Sequence, residues 1–351
     1  MDIGYFLKLM TDKNASDMFL TTGAPVHIKV EGKLYPLGNT GLPAGMVKKI
    51  AYSLMDEGQV PDFERDLELN MALSLADAGR FRVNVFKQRG EVGMVIRAIR
   101  SVIPSIEELQ LPQVLKNVIM APRGLVLIVG STGSGKSTTL ASMIDYRNTT
   151  AAGHILTIED PIEYLHRHKK SIVNQREVGL DTKSFHRALR SAMRAAPDVI
   201  LIGEIRDRES MEYAITFAGT GHLCLATLHA NNAAEALDRI INMFPRDQHS
   251  QIFLDLSQYL RAILSQRLVM GKDSKRCAAI EVLLNTPHVQ ELIKKGDVIG
   301  VKEALVRSAE KGMQSFDVSL YQLYLDGKIT LEEAIGNADS RSNLEAKINF
   351  G

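Results

Sequence analysis

The stretch GLVLIVGSTGSGKSTTLASMIDYR, residues 124–147, constrains this chain more than any other. A run of branched apolar residues meets a glycine-rich turn, and the turn passes straight into residues with helical spacing. The turn itself, Gly130-Ser131-Thr132-Gly133-Ser134-Gly135-Lys136-Ser137, fits the phosphate-binding pattern GxxxxGK[ST] without a mismatch. Glycines let the loop fold so tightly that successive backbone N–H groups point inward as an anion nest. The helix that follows, entered through Thr138, adds the positive end of its dipole. Lys136 is spaced to reach the β- and γ-phosphates, and the Ser137 hydroxyl to ligate Mg2+. An ordinary strand-to-helix turn would leave eight matching positions to coincidence. The expected ligands are therefore ATP and Mg2+.

The pattern around this loop gives the fold class. HILTIED, DVILIGE, HLCLATLH and CAAIEVLL read as further buried strands, mostly separated by helical patterns. That alternation predicts a parallel sheet covered on both faces. After Pro245 the sequence reads as chiefly helical, with Ile252, Phe253, Leu256, Leu260, Ile263, Leu264 and Leu268 as one apolar stripe. The region from about residue 15 to 100 differs. Leu67, Leu69, Met71, Leu73 and Leu75 alternate with more polar or smaller residues, and Phe81, Val83 and Val85 do the same, with Arg82 and Asn84 facing away. With a helix over residues 44–55, this predicts a small α+β domain on an antiparallel sheet. Residues 1–14 have helical spacing and not the character of a secretory h-region. The expected division is an N-terminal domain over 1–100, a linker over 101–112 holding Pro104, Pro112 and a short helical stretch, and an ATPase domain over 113–351.

Composition narrows the function classes. Lys and Arg number 42 against 41 Asp and Glu, whereas a nucleic-acid binder draws most of its affinity from net basic charge. With only Cys224 and Cys277, neither a disulfide framework nor a four-cysteine zinc site is available. No stretch approaches the roughly 20 apolar residues of a membrane span.

A nucleotide site of this kind also needs carboxylates at the ends of other buried strands. Glu204 follows the strand VILI and Gly203, where open α/β sheets place their ligands, and is the candidate metal ligand. Asp207 is near it but suits a helix cap equally well. Glu159-Asp160-Pro161-Ile162-Glu163 ends HILTI, and a carboxylate there can position the attacking water, although Asp-Pro also favours a plain turn. Spacing alone does not choose between Glu159 and Glu163. His222 and His229 lie seven apart, on opposite faces of a regular strand, which argues against one metal held by both. His229, beside the strand's carboxyl end, is the better sensor of the γ-phosphate.

Taken together, GSTGSGKST, TIEDPIEY, PDVILIGEIRD and TGHLCLATLHANNA resemble the Walker A, Asp box, atypical Walker B and His box of the secretion-superfamily ATPases. Within that superfamily the likeness is to the type IV pilus retraction ATPases, the PilT/PilU family, and it is greater to the PilU branch. ASDMFLTTGAPVHIKVEGKL, GRFRVNVFKQRG and GMQSFDVSLYQLY extend it over essentially the whole chain. The resemblance implies an N-terminal PAS-like α+β domain, a short linker, and a RecA-like P-loop ATPase domain with a helical C-terminal part, assembled as a homohexamer. It implies that Glu163 polarises the attacking water, that Glu204 supports Mg2+, and that His222 and His229 approach the nucleotide. Arg82 and Arg97 match the N-terminal arginines that complete the site, with the hinge over residues 100–112.

The implied activity is ATP hydrolysis driving pilus retraction and twitching motility. The implied setting is the cytoplasmic side of the pilus base, where membrane contact is only through an inner-membrane platform protein, with no nucleic acid involved. Two departures matter. Arg194-Ala195-Ala196-Pro197 stands where PilT proteins carry an acidic pair before the proline, and EALVRSAEKG stands where they carry AIRSEL. Both leave the nucleotide chemistry intact, and they leave open whether the chain retracts alone or only alongside a PilT-type ATPase; the resemblance to the PilU branch implies an accessory motor. A nucleic-acid motor and an ATP-binding scaffold with little turnover are the alternatives.

Overall fold

A computed structural model of the 351-residue chain describes residues 3–75, 78–308 and 312–350. The chain divides into two compact units. One comprises Met1–Val102, Ile162–Leu165 and Gly179–Asp181, and the other comprises Ile103–Pro161, His166–Val178 and Thr182–Gly351.

The first unit is built on an antiparallel sheet. Its elements are α1 (Ile3–Asp12), β1 (Asp17–Leu20), β2 (Val26–Val30), β3 (Lys33–Leu37), α2 (Met46–Leu54), α3 (Gln59–Asp66), β4 (Glu68–Leu75), β5 (Gly79–Gln88) and β6 (Glu91–Ala98). The six strands run in the order β3-β2-β1-β6-β5-β4. Alternation sorts their faces as the sequence predicts, with Met71, Phe81, Val83, Val85, Met94 and Ile96 buried in one core with Leu7, Met10, Val47, Ile50 and Phe63 from the helices. Truncating the fully buried Phe63 would cost about 3–5 kcal/mol. Helix α3 is absent from the sequence reading. Leu67, assigned there to a strand, instead closes α3 with φ 64°.

The second unit is an α/β sandwich. It runs α4 (Val114–Ile119), β7 (Gly124–Val129), α5 (Lys136–Thr150), β8 (Gly153–Glu159), β9 (Ser171–Glu177), α6 (Phe185–Ala192), β10 (Val199–Ile202), α7 (Arg208–Gly219), β11 (Leu223–Leu228), α8 (Ala233–Asn242), α9 (His249–Tyr259), β12 (Leu260–Met270), β13 (Arg276–Leu284), α10 (Pro287–Lys294), α11 (Val298–Arg307), α12 (Phe316–Leu325), α13 (Leu331–Gly336) and α14 (Arg341–Phe350). Sheet order is β13-β12-β7-β11-β10-β8-β9. Neighbours are parallel except β12 and β13, which pair antiparallel. Both faces are covered: Leu125, Leu127 and Val129 of β7 point into one core, Val126 and Ile128 into the other.

Two sequence expectations are corrected in this unit. The apolar stripe after Pro245 is not one helix, because α9 stops at Tyr259 and Leu260–Met270 is strand β12. A strand buried on both faces carries apolar side chains at consecutive positions, so its pattern also satisfies a helical template. Strand β9 was likewise not anticipated. In the 100–112 stretch the helical signal is one turn, closed by Ser105 and Glu108, each accepting from the other's backbone N–H at 3.1 and 2.7 Å. The C-terminal helices dock on β12 through Arg267, whose guanidinium lies 3.9 Å from the centre of the Phe316 ring and 2.7 Å from Asp339 Oδ1. Among the described residues, no helix is long and apolar enough to cross a membrane.

Candidate nucleotide-binding site

The phosphate loop joins β7 to α5 at the carboxyl edge of the sheet. Gly130, Gly133 and Gly135 take φ values of 154°, 78° and 87°. The first and third also permit close approach. A Cβ on Gly130 would lie 2.5 Å from the Gln266 carbonyl oxygen, and one on Gly135 would lie 2.8 Å from Gln266 Nε2. Strand β12 thus presses against the loop from behind, and the Thr139 hydroxyl donates to Gln266 Oε1 at 2.7 Å. The Lys136 ammonium donates to the carbonyl oxygens of Gly130 and Ser131 at 2.7 and 2.8 Å, holding it over the loop. Ser131, Thr132 and Gly133 are exposed, Ser137 and Thr138 half-buried. The buried Ser134 hydroxyl has no hydrogen-bond partner.

Helix α5 begins without a side-chain cap, at a left-handed Gly135, whereas α6, α7 and α8 are closed by Ser184, Asp207 and Asn232. A helix start entered through glycine with no side-chain cap suits an anion. Among the described residues, no cluster of three or more His, Cys, Asp or Glu could hold a metal. The glycine loop, the Lys136 ammonium and the Ser137 hydroxyl fit the phosphate chain of a magnesium–nucleotide.

Beside the loop, the carboxyl ends of β8, β10 and β11 are tied together. Gly203 N–H donates to the Ile158 carbonyl at 2.7 Å, Ile205 N–H to the Thr227 carbonyl at 2.9 Å, and the Thr227 hydroxyl to the Gly203 carbonyl at 2.5 Å. A Cβ on Gly203 would sit 3.0 Å from the Ile158 carbonyl oxygen, so glycine lets this strand end close up. Glu204 follows. Its Oε1 lies 2.8 Å from His229 Nε2 and its Oε2 accepts from Arg206 Nε at 2.8 Å. Asp207 caps α7 by accepting the Ser210 N–H at 2.8 Å.

The two glutamates that spacing left undecided part company in the fold. Glu159 Oε1 accepts from the Thr157 hydroxyl at 2.6 Å and from Gln175 Nε2 at 3.2 Å. Glu163 belongs to the first unit and is exposed between buried Ile162 and Tyr164. That segment is anchored to the chain after β6, where Leu165 N–H donates to the Arg100 carbonyl at 2.9 Å and Arg100 Nη1 to the Tyr164 hydroxyl at 3.0 Å.

Arg82 and Arg97 stand directly opposite each other on β5 and β6, and Arg97 is opposite Asp17 of β1. All three share the sheet face away from the helices. Arg97 donates to Asp17 Oδ1 at 2.7 Å. Arg82 is half-buried. The fold does not bring the two histidines together. His222 precedes β11, where its Nδ1 lies 3.1 Å from the Thr220 hydroxyl and 3.2 Å from the Phe217 carbonyl. His229 follows β11, at the end where Leu228 pairs with Val129, the residue before Gly130.

The chain matches the family model described as Type II/IV secretion system protein over residues 3–335. It belongs to that family. Among members of the Type II/IV secretion system protein family, it is 53% identical to the Type IV pilus ATPase PilU of Pseudomonas aeruginosa, covering 100% of this chain and 92% of that protein. It is 42% identical to the Type IV pilus retractation ATPase PilT of the same organism, covering 95% of this chain and 97% of that one. A crystal structure of the pilus retraction motor PilT with bound ADP superposes with a TM-score of 0.91 at 41% identity, over 98% of this chain and 99% of that chain.

In this Type II/IV secretion system protein a cavity of about 700 Å³ adjoins the phosphate loop, lined among others by Gly135, Thr138, Gln266, Leu268 and Cys277. Its size suits a nucleoside. The sequence reading missed Gln266 and the buried Glu281 of β13. The available signal was a polar residue inside an apolar run, LSQRL and AIEVL, which marks a buried polar group that must be partnered.

Proposed function

We propose that this chain is an ATP-hydrolysing motor that promotes type IV pilus retraction, of the PilU kind. It works as a homohexameric ring with a PilT-type ATPase at an inner-membrane platform protein. The observation that carries the chemistry is the uncapped α5 N-terminus behind Gly130–Gly135–Lys136, with the His229–Glu204 contact at the neighbouring strand ends. The observation that carries the biology is 53% identity to PilU along the whole chain.

In this reading the backbone N–H groups of the loop and Lys136 hold the β- and γ-phosphates and offset charge that builds as the terminal bond breaks. Ser137 would ligate Mg2+ with Glu204 in support, and the ion would supply positive charge against the phosphates. Glu163, exposed between buried Ile162 and Tyr164, orients the water that attacks the γ-phosphorus. His229 responds to the γ-phosphate through Glu204, while Arg82 and Arg97 supply positive charge. The cavity beside Gln266 takes the nucleoside. His222, which the resemblance brings to the nucleotide, stands at the opposite end of β11 from His229.

The test is genetic and direct. Deleting the gene in the source bacterium is expected to reduce twitching while pili remain on the surface, and wild type restores movement where Lys136→Ala does not. Restoration by Lys136→Ala would sink the motor reading.

A further inference from the structure

Three pieces of the second unit converge on a carboxylate that the phosphate chemistry does not use. Glu281 of β13 is only 4% exposed. Burial pushes its carboxyl above the usual range, against the pull of two hydrogen bonds. Its Oε1 accepts from the Ala233 N–H at 2.8 Å and from the Ser265 hydroxyl at 2.8 Å. Ser265 pairs with Glu281 across β12 and β13, and on its other side with Val129, the residue before the phosphate loop. The next residue, Gln266, takes the Thr139 hydroxyl.

Ala233 is the first residue of α8 and ends the short run that leaves β11 at His229. Two neighbouring N–H groups of that helix start are satisfied locally. Asn232 Oδ1 accepts the Glu235 N–H at 2.8 Å, and Glu235 Oε2 accepts the Asn231 N–H at 3.0 Å. The Ala233 N–H reaches across to the strand pair behind the phosphate loop. A buried carboxylate is costly to keep, and an apolar side chain would fill the same space without that cost.

We infer that Glu281 is a positioning residue: it fixes the His229-bearing run to the strand pair behind the phosphate loop, and so holds His229 against Glu204. This rests on the role proposed above for His229. Removing the acceptor lets the run shift, and small misplacements at a reacting centre lower turnover without loosening nucleotide binding.

The test compares steady-state ATP hydrolysis of the full chain in four variants, with particle mass and thermal midpoint recorded on each. Glu281→Leu is expected to lower kcat about tenfold with KM for ATP nearly unchanged. Glu281→Gln keeps an acceptor oxygen for both donors and is expected to stay within about twofold of wild type. Ala233→Pro deletes the donor and leaves the carboxylate in place. Proline suits the first helical position, and Asn232 before it is already extended, so this variant decides the matter if Glu281→Leu does not fold. His229→Ala is the fourth, made alone and with Glu281→Leu. If Glu281 acts through His229, the double variant is no slower than His229→Ala. A folded Glu281→Leu or Ala233→Pro with wild-type kcat overturns the inference, as does a double variant in which the two losses multiply. Wild-type kcat in His229→Ala alone would show that the role of His229 is at fault, and Glu281's positioning role falls with it.

Discussion

His229 Nε2 and Glu204 Oε1 lie 2.8 Å apart, joining the carboxyl ends of β11 and β10 beside the phosphate loop. Arg206 holds the other oxygen of the same carboxylate, so the Glu204 side chain is fixed from two sides. A group held so firmly is suited to relay a change at the phosphates and unsuited to roam as a loose ligand. His229→Ala is therefore expected to lower kcat by about 10²-fold with little change in KM, read by steady-state phosphate release. A rise in KM at constant kcat would instead make His229 a binding residue.

Arg82 and Arg97 are paired in register on adjacent strands, and Arg97 donates to Asp17 Oδ1 at 2.7 Å. Like charges directly opposite on a sheet are unfavourable by a few tenths to about 1 kcal/mol. Arg82→Ala should cut turnover by about 10³-fold, the scale on which an arginine acts in phosphoryl transfer, with a far smaller effect on the thermal midpoint. A fall in thermal midpoint with turnover intact would assign Arg82 to structure.

Cys277 lines the cavity beside the loop, while Cys224 is fully buried and its thiol is pushed up by burial. A maleimide should thus add once, at Cys277, and a non-hydrolysable ATP analogue with Mg2+ should slow that addition. Mass spectrometry of the labelled chain reads both. Labelling unaffected by nucleotide would place the base elsewhere.

His166 is half-buried, and its loss of hydration pushes its pKa from 6.5 down to about 4. Between those values the unfolded chain takes up a proton that the folded chain refuses, so stability falls as pH drops from about 6.5 to about 4. The full loss is at most about 3 kcal/mol. Glu281 and Asp317 are shifted up by burial and act in the opposite sense, gaining stability as they protonate. The difference between wild type and His166→Gln isolates the histidine. Urea midpoints should converge as pH falls from 7 to 4.5 if the variant starts out less stable, and a constant difference would show that His166 does not titrate in this window.

What the sequence made legible was local. The loop 130–138 and its strand and helix are contiguous, so their chemistry can be read from spacing. The choice between Glu159 and Glu163 was not local, since Thr157 and Gln175 engage the first and the chain after β6 anchors the neighbours of the second. Gln266 meets Thr139 across 127 residues, and it lies in a strand whose two buried faces imitate a helical stripe. Glu281 shows only as a charge inside an apolar run, which says that a partner exists and not which one.

The most direct measurement is Mg2+-dependent phosphate release by the purified chain, with particle mass taken on the same sample and Lys136→Ala and Glu163→Ala beside wild type. The expected result is turnover by a hexamer-sized particle that both substitutions abolish. ATP binding by a well-formed ring with no phosphate released would contradict an autonomous motor and leave a ring that fires only with a partner.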